Sequence, residues 1–210
     1  MSTVLFDVCH TLYRANTTFD FLAFYFANDA RLDELKAKRT SLTGKVRSRF
    51  GDWQQDLRRD YIRLLESEQE SNLREMAATF VDQLKPIEPV MNLLKDAQQS
   101  GRDVQLISAS LDFVVAEVAS KLDVAEFSAS SLVFENGVCK GVFDEDLDGR
   151  KPSVIRAMDL TKPSVMISDN YSDSNCIELV DEFFPVFPKG DLRASLFWMM
   201  KATSTPIQYD

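Results

Sequence analysis

Three short apolar runs in this chain stop at residues able to do chemistry. Thr3-Val4-Leu5-Phe6 ends at Asp7, Val104-Gln105-Leu106-Ile107 ends at Ser108, and Ser164-Val165-Met166-Ile167 ends at Ser168-Asp169. Apolar runs this short, without alternation, read as strands buried on both faces, as in a parallel sheet. The carboxyl ends of parallel strands lie along one edge, where active sites of such sheets are found. Asp7, Ser108 and Asp169 are therefore expected to emerge together. Carboxylates in that position can act as nucleophiles or hold a hard cation through oxygen. Taken singly, each residue has a plainer reading. Asp7 could be a loop or capping residue and Ser108 a helix cap, while Asp169 and Asp173, four apart, could open a solvated helix favoured by the helix dipole.

The elements that must position these groups follow from the pattern between them. From Thr18 to Leu84 apolar residues recur every three or four positions: Leu32 and Leu35; Trp53, Leu57, Tyr61, Leu64 and Leu65; Leu73, Met76, Phe80 and Leu84. That spacing predicts about four amphipathic helices, with Gly44 and Gly51 as breaks and Thr17 or Thr18 as the first N-cap. Phe19, Phe21, Phe24, Tyr25 and Phe26 sit at helical spacing that core packing explains as well as a binding role. Beyond Pro86 helices and strands alternate: a helix from Pro89 to Ser100 stopped by Gly101, the strand before Ser108, and a helix from Leu111 to Leu122. An Asn136-Gly137 hairpin follows, then a helix from Ser153 to Met158, the strand before Ser168, and a late short strand around Phe183-Phe187. Strands separated by helices make a Rossmann-like α/β sheet, with residues 1–16 and 86–210 as core and 17–85 as a helical insertion. Leu196-Phe197-Trp198-Met199-Met200 is expected to pack on the core, with self-association as the alternative.

Composition narrows the function classes. The 210 residues are 45% hydrophobic and 27% charged, ordinary for a globular chain with a sizeable core. A net charge of -9 argues against nucleic acid and anionic membrane as partners, though it allows a small anionic ligand in a locally positive pocket. Cys9, Cys139 and Cys176 are odd in number and unpaired in spacing, which fits a reducing compartment and not a disulfide framework. No basic, apolar leader opens the sequence, and no apolar run approaches the roughly 20 residues of a membrane helix. A cytoplasmic location is expected.

Four segments together resemble the haloacid dehalogenase-like hydrolases. Phe6-Asp7-Val8-Cys9-His10-Thr11-Leu12 is similar to their first motif, Asp-x-Asp-Gly-Thr-Leu. Leu106-Ile107-Ser108-Ala109-Ser110 resembles the second, Gly149-Arg150-Lys151 the third, and Ser168-Asp169-Asn170-Tyr171-Ser172-Asp173 the fourth. The order is right, and the insertion after the first motif looks like the helical cap of phosphoserine-phosphatase-like members. The resemblance implies a magnesium-dependent phosphatase or phosphotransferase acting on a small phosphorylated metabolite. In that reading Asp7 is the nucleophile that becomes aspartyl-phosphate. Asp7, Asp169 and the Cys9 carbonyl hold Mg²⁺, and Asp173 binds metal waters or holds Lys151. Ser108, Ala109, Thr11 and Lys151 meet the phosphate, with Lys151 offsetting its charge.

The first motif departs from the family at two positions. Cys9 stands where phosphatases carry the aspartate that protonates the leaving group and activates water, and a thiol of ordinary pKa near 8.5 does neither well. Its replacement permits slow turnover, a dehalogenase-like C–X hydrolase, or a degenerate binding or regulatory protein. The paired Asp169 and Asp173 weigh against the dehalogenase. His10, the single histidine, replaces the usual glycine, either as a substitute acid–base group or because it tolerates a tight turn.

Overall fold

The computed structural model describes residues 2–40, 51–201 and 203–210, without the side chains of residues 38–40 and 51–54. The short apolar run at the amino terminus forms β1 (Thr3–Phe6), buried throughout. It lies between two parallel neighbours, β2 (Asp103–Leu111) and β5 (Val165–Ser168). Covered on both edges and both faces, β1 has no polar side to show, hence its unbroken apolar sequence. The other strands are β3 (Glu126–Glu135), β4 (Val138–Glu145), β6 (Glu182–Pro188) and β7 (Ile207–Tyr209), giving one sheet in the order β4-β3-β2-β1-β5-β6-β7. All pairings are parallel except the β3–β4 hairpin, whose turn uses Asn136 and Gly137 at φ 52° and 76°.

Register brings the strand ends level. Phe6 pairs with Leu106 on one side and Ile167 on the other, so Asp7 stands beside Ile107 and Ser168. The chain runs outward from β1 to β2 and later returns to β5 on the opposite side. The reversal opens a crevice beyond the end of β1.

Among the described residues, helices α1 (Thr17–Tyr25), α2 (Ala30–Thr40), α3 (Gly51–Arg63) and α4 (Glu70–Asp82) lie between β1 and Pro86. Gly44 lies outside the described residues, and Gly51 opens α3. Helix α1 is capped not by Thr17 or Thr18 but by Asn16, whose side chain accepts the Phe19 N–H at 3.1 Å. Both threonines are buried, and the Thr17 hydroxyl turns inward to Cys9 Sγ and Ser110 Oγ. The chain leaves and re-enters at adjacent points: the Arg14 N–H donates to the Lys85 carbonyl (2.9 Å) and the Ile87 N–H to the Leu12 carbonyl (2.8 Å). Helix α5 (Glu88–Gln99) then leads into β2, α6 (Asp112–Lys121) follows β2, and α7 (Lys151–Ala157) follows the hairpin.

The inserted helices share one continuous apolar cluster with a face of the sheet. Phe21 packs against Phe80 and Phe113, with ring centroids 5.7 and 5.4 Å apart, linking α1, α4 and α6. The segment between α3 and α4 is also stitched to the hairpin. The Ser67 N–H donates to the Cys139 carbonyl, the Cys139 N–H to the Glu68 carbonyl (both 2.9 Å), and the Glu70 N–H to the Gly137 carbonyl (2.8 Å). This approach needs Gly141, at φ 63°, where an added Cβ would stand 3.1 Å from the Arg63 Cα and 3.0 Å from the Glu66 Cβ.

A 3₁₀ segment (Tyr171–Leu179) joins β5 to β6, and α8 (Leu192–Met199) leads to β7. Among the described residues no helix is long and apolar enough to cross a membrane. Three differences from the sequence reading stand out. Strand β2 continues past Ser108 to Leu111, and its pairing with β3 shifts register between Ile107 and Leu111. The first half of β3 and all of β7 were not anticipated, because Glu126-Phe127-Ser128-Ala129-Ser130 is small and polar and β7 is only three residues long. Helix α8 only partly fulfils its expected packing, as Ala194 and Trp198 are buried while Leu196, Met199 and Met200 are not.

Gly141→Ala should lower stability by roughly 1–3 kcal/mol, through positive φ and the lack of room for a methyl group. A urea unfolding series measures this, and an unchanged midpoint would show that the hairpin can back away from α3.

Candidate active site

The Asp7 N–H donates to the Ile167 carbonyl (3.0 Å), continuing the β1–β5 ladder by one residue and fixing where the side chain points. Its Oδ1 accepts the Val8 N–H at 2.7 Å, and its Oδ2 lies 2.9 Å from the Lys151 Nζ. The same ammonium is 2.7 Å from Asp173 Oδ2. Lys151 is the first residue of α7 and Asp173 sits in the first turn of the 3₁₀ segment, so one buried cation ties three separate stretches of chain together. Ser168 Oγ donates to Asp173 Oδ2 (2.6 Å) and accepts the Asn170 N–H (3.2 Å). Burial alone would discharge Lys151, but the carboxylates of Asp7 and Asp173 hold its pKa above the ordinary range. It stays an ammonium.

Thr11, fully buried, joins the β1 loop to the β5 loop. Its hydroxyl accepts the Asp169 N–H (3.0 Å) and donates to Asp169 Oδ1 (3.2 Å). Burial, and then the negative charge of Asp7, push the Asp169 carboxyl up to about 8. Three carboxylates thus face one ammonium, and burial together with this excess negative charge makes Asp169 reluctant to release its proton. Among the described residues no three Asp, Glu, His or Cys side chains are gathered to hold a metal by themselves. The donor set of Asp7, Asp169 and the Cys9 carbonyl still fits a hard divalent cation that keeps several waters and would balance the excess charge. Asp173 is engaged by Lys151 and Ser168.

Cys9 belongs to a different group. Its Sγ lies 3.0 Å from both Thr17 Oγ1 and Ser110 Oγ, and those two hydroxyls hydrogen-bond each other. Desolvation first, and then the Asp7 charge, raise the thiol above its usual pKa, so Cys9 is neutral. His10 is exposed and takes φ 49°, a left-handed value that histidine tolerates better than bulkier residues. That supports the backbone-turn reading. Its ring instead borders a cavity of about 320 Å³ shared with Asp169, Tyr171 and Tyr209.

Ser108 is fully buried beside the site, its Oγ accepting the Ser110 N–H at 3.3 Å. The Ala109 carbonyl accepts from Ser130 Oγ (3.0 Å) and from Arg58 Nη2. Arg58, on the inserted helix α3, was not singled out from the sequence. Its guanidinium also donates through Nη2 to Asp146 Oδ1 (3.2 Å) and through Nε to Asp146 Oδ2 (3.3 Å). It lies 4.9 Å from the Phe143 ring centroid as well. It bridges the insertion, the end of β2 and the approach to Lys151. No spacing signal reveals such a residue, since its partners are scattered over the chain. Thr17 and Ser110 escaped notice for the same reason.

A family of haloacid dehalogenase-like hydrolases matches residues 4–178. The chain belongs to that family. Among solved structures, a phospho-aspartyl intermediate analogue of phosphoserine phosphatase superposes with a TM-score of 0.66 at 15% identity, covering 98% of this chain and 92% of the other. A protein with unknown function from Bordetella pertussis Tohama I reaches 0.73 at 19% identity over 99% of both chains. A phosphoserine phosphohydrolase-like protein from Francisella tularensis reaches 0.63 at 17% identity, covering 89% of this chain and 88% of that one. No curated protein matches by sequence. At these identities the structural likeness is one of fold.

Two outcomes follow. Arg58→Ala should lower stability by roughly 1–3 kcal/mol, because the Ala109 carbonyl and Asp146 each lose the guanidinium's hydrogen bonds and Asp146 loses its cation. Arg58→Lys should recover only part of this in chemical denaturation, since a single ammonium cannot span the fork. Folded Asp169 keeps its proton to about pH 8, whereas an unfolded aspartate releases it near 3.8. Its contribution to stability without divalent cations should therefore fall as pH rises through that window. Thermal scans in chelator, comparing wild type with Asp169→Asn, check this. A wild-type midpoint that rises relative to the variant would contradict it.

Proposed function

We propose that this hydrolase is a magnesium-dependent phosphatase or phosphotransferase acting on a small phosphorylated metabolite, working slowly through an aspartyl-phosphate at Asp7. One observation carries the reading: the buried cluster of Asp7, Lys151 and Asp173 at the end of β1, beside the charge-crowded Asp169. In this reading an Asp7 carboxylate oxygen attacks phosphorus, the phosphorus–oxygen bond to the metabolite breaks, and the alkoxide leaves. Lys151 offsets the charge between phosphate and carboxylates. Ser108, with the backbone at Ala109 and Thr11, orients the phosphoryl oxygens. Asp7, Asp169 and the Cys9 carbonyl would hold Mg²⁺, which when bound supplies charge neutralisation against the phosphate. Asp173 keeps Lys151 in place.

Cys9 sets the rate. A neutral thiol between two hydroxyls has no proton suited to the departing alkoxide and no basicity to activate water against the aspartyl-phosphate. The same observation favours a second reading, a degenerate site that binds phosphate or metal without turnover. Retention of Asp169 and Asp173 weighs against the dehalogenase alternative, which predicts halide release without a metal. The insertion, residues 17–85, is read as a cap over the core of 1–16 and 86–210, with its exit and return at the paired segments near Tyr13 and Pro86. The acidic surface favours small-molecule partners over nucleic acid or membrane, and unpaired cysteines favour the cytoplasm.

Phosphate release from a panel of phosphomonoesters, with Mg²⁺ and with chelator, tests the proposal. Wild type should be slow but active, and Asp7→Asn inactive. Cys9→Asp should raise the rate roughly 10²–10⁴-fold, since Thr17 and Ser110 offer two hydroxyl donors to the new carboxylate. Equal release by wild type and Asp7→Asn would end the enzymatic reading.

A further inference from the structure

Helix α8 gives one face to the core and leaves the other bare. Ala194 and Trp198 are buried, Trp198 stacking on Phe183 with ring centroids 5.3 Å apart. On the outer side Leu192, Leu196, Met199 and Met200 are 76%, 58%, 74% and 76% exposed. The other large apolar side chains exposed among the described residues, Leu93, Phe127 and Val142, lie on separate elements and none exceeds 48%. Single exposed apolar residues are normal, but four in succession along one short helix make a contact surface.

The charges around this face say what covers it. No Asp or Glu occurs from Leu192 to Tyr209, although the chain as a whole carries -9. Asp191 stands at the amino end of the apolar stripe and Lys201 at the carboxyl end. Asp191 caps α8 through Oδ1, which accepts the Ala194 N–H at 2.9 Å, leaving Oδ2 available. Lys201 has no carboxylate partner among the described residues, and its ammonium rests 5.4 Å from the Phe197 ring centroid. Arg193, beside Asp191, has its guanidinium 5.7 Å from the Tyr171 ring centroid, so Asp191 at one end and Lys201 at the other are left complementary when two copies of this apolar face meet antiparallel.

We propose that α8 is the contact surface of a homodimer, with the two helices packed antiparallel about a two-fold axis at Leu196. In this arrangement Leu196 meets its own equivalent, Leu192 meets Met200 of the second copy, and Asp191 meets Lys201 of the second copy. Every contact occurs twice, as an isologous interface requires. The amino end of each helix also lies against the carboxyl end of the other, the favourable direction for their dipoles. An anionic lipid surface suits this face less well. Lys189 is paired with Asp210 at 2.8 Å and Asp191 offsets one of the two cations Arg193 and Lys201, which leaves far fewer charges than the clusters that hold a protein on anionic lipid. Two such faces reach only the low end of specific interfaces, about 1,000 Å² in total, so the dimer should dissociate on dilution.

Sedimentation equilibrium of the full chain over a wide concentration range provides the test, with circular dichroism confirming that each variant is folded. Wild type should shift from monomer to dimer with concentration, and Leu196→Glu should stay monomeric. Under mild oxidation by oxidised glutathione, Leu196→Cys should give a covalent dimer, whereas Lys95→Cys on the exposed side of α5 should not. The native cysteines are buried or half-buried and serve as background. A wild type that stays monomeric into the high micromolar range overturns the proposal. So does a dimer that persists in Leu196→Glu, or cross-linking of Leu196→Cys no faster than of Lys95→Cys. Monomeric wild type that floats with phosphatidylserine vesicles would assign the face to lipid instead.

Discussion

A single buried ammonium organises the end of the central strand. Asp7 and Asp173 would repel each other if buried alone. Lys151 between them at 2.9 and 2.7 Å offsets that repulsion, although burial still pushes the Asp173 carboxyl above its usual pKa. Because those three residues belong to the β1 loop, the start of α7 and the 3₁₀ segment after β5, the ion cluster also fixes how these pieces meet. Ser168 and Thr11 extend that fixation by hydrogen bonds to Asp173 and Asp169.

The cluster leaves negative charge over, and the rest of the site can be understood from that remainder. Asp169, already disfavoured by burial, bears it as a raised pKa. Cys9 adds no further charge. An aspartate at that position would bring a fourth carboxylate to the same edge, so a neutral thiol is easier to accommodate there. The hydroxyls of Thr17 and Ser110 fill the space around the sulfur and connect the first motif to α1 and β2.

The inserted helices are coupled to this edge by more than apolar packing. Arg58 reaches from α3 to the Ala109 carbonyl and to Asp146, while the segment before α4 is hydrogen-bonded to the hairpin that precedes Lys151. Movement of the insertion would therefore pull on two of the four motif-bearing segments. The C-terminal helix has a bare side with no counterpart among the described residues.

The sequence by itself determined the parts governed by local pattern. Unbroken apolar runs announced the central strands, three-to-four spacing announced the insertion, Asn136-Gly137 announced the hairpin, and the ordered motifs announced the family. What it could not determine were contacts between residues distant in the chain and elements whose composition carries no periodic signal. Arg58 with Asp146, Thr17 with Ser110, the small polar half of β3 and the three residues of β7 exist because neighbouring chain supplies their partners. Trp198 and Leu196, two positions apart on one helix, had the same apolar appearance in sequence. Only the sheet lying under one face of α8 decided which was buried and which was left to meet solvent or another molecule.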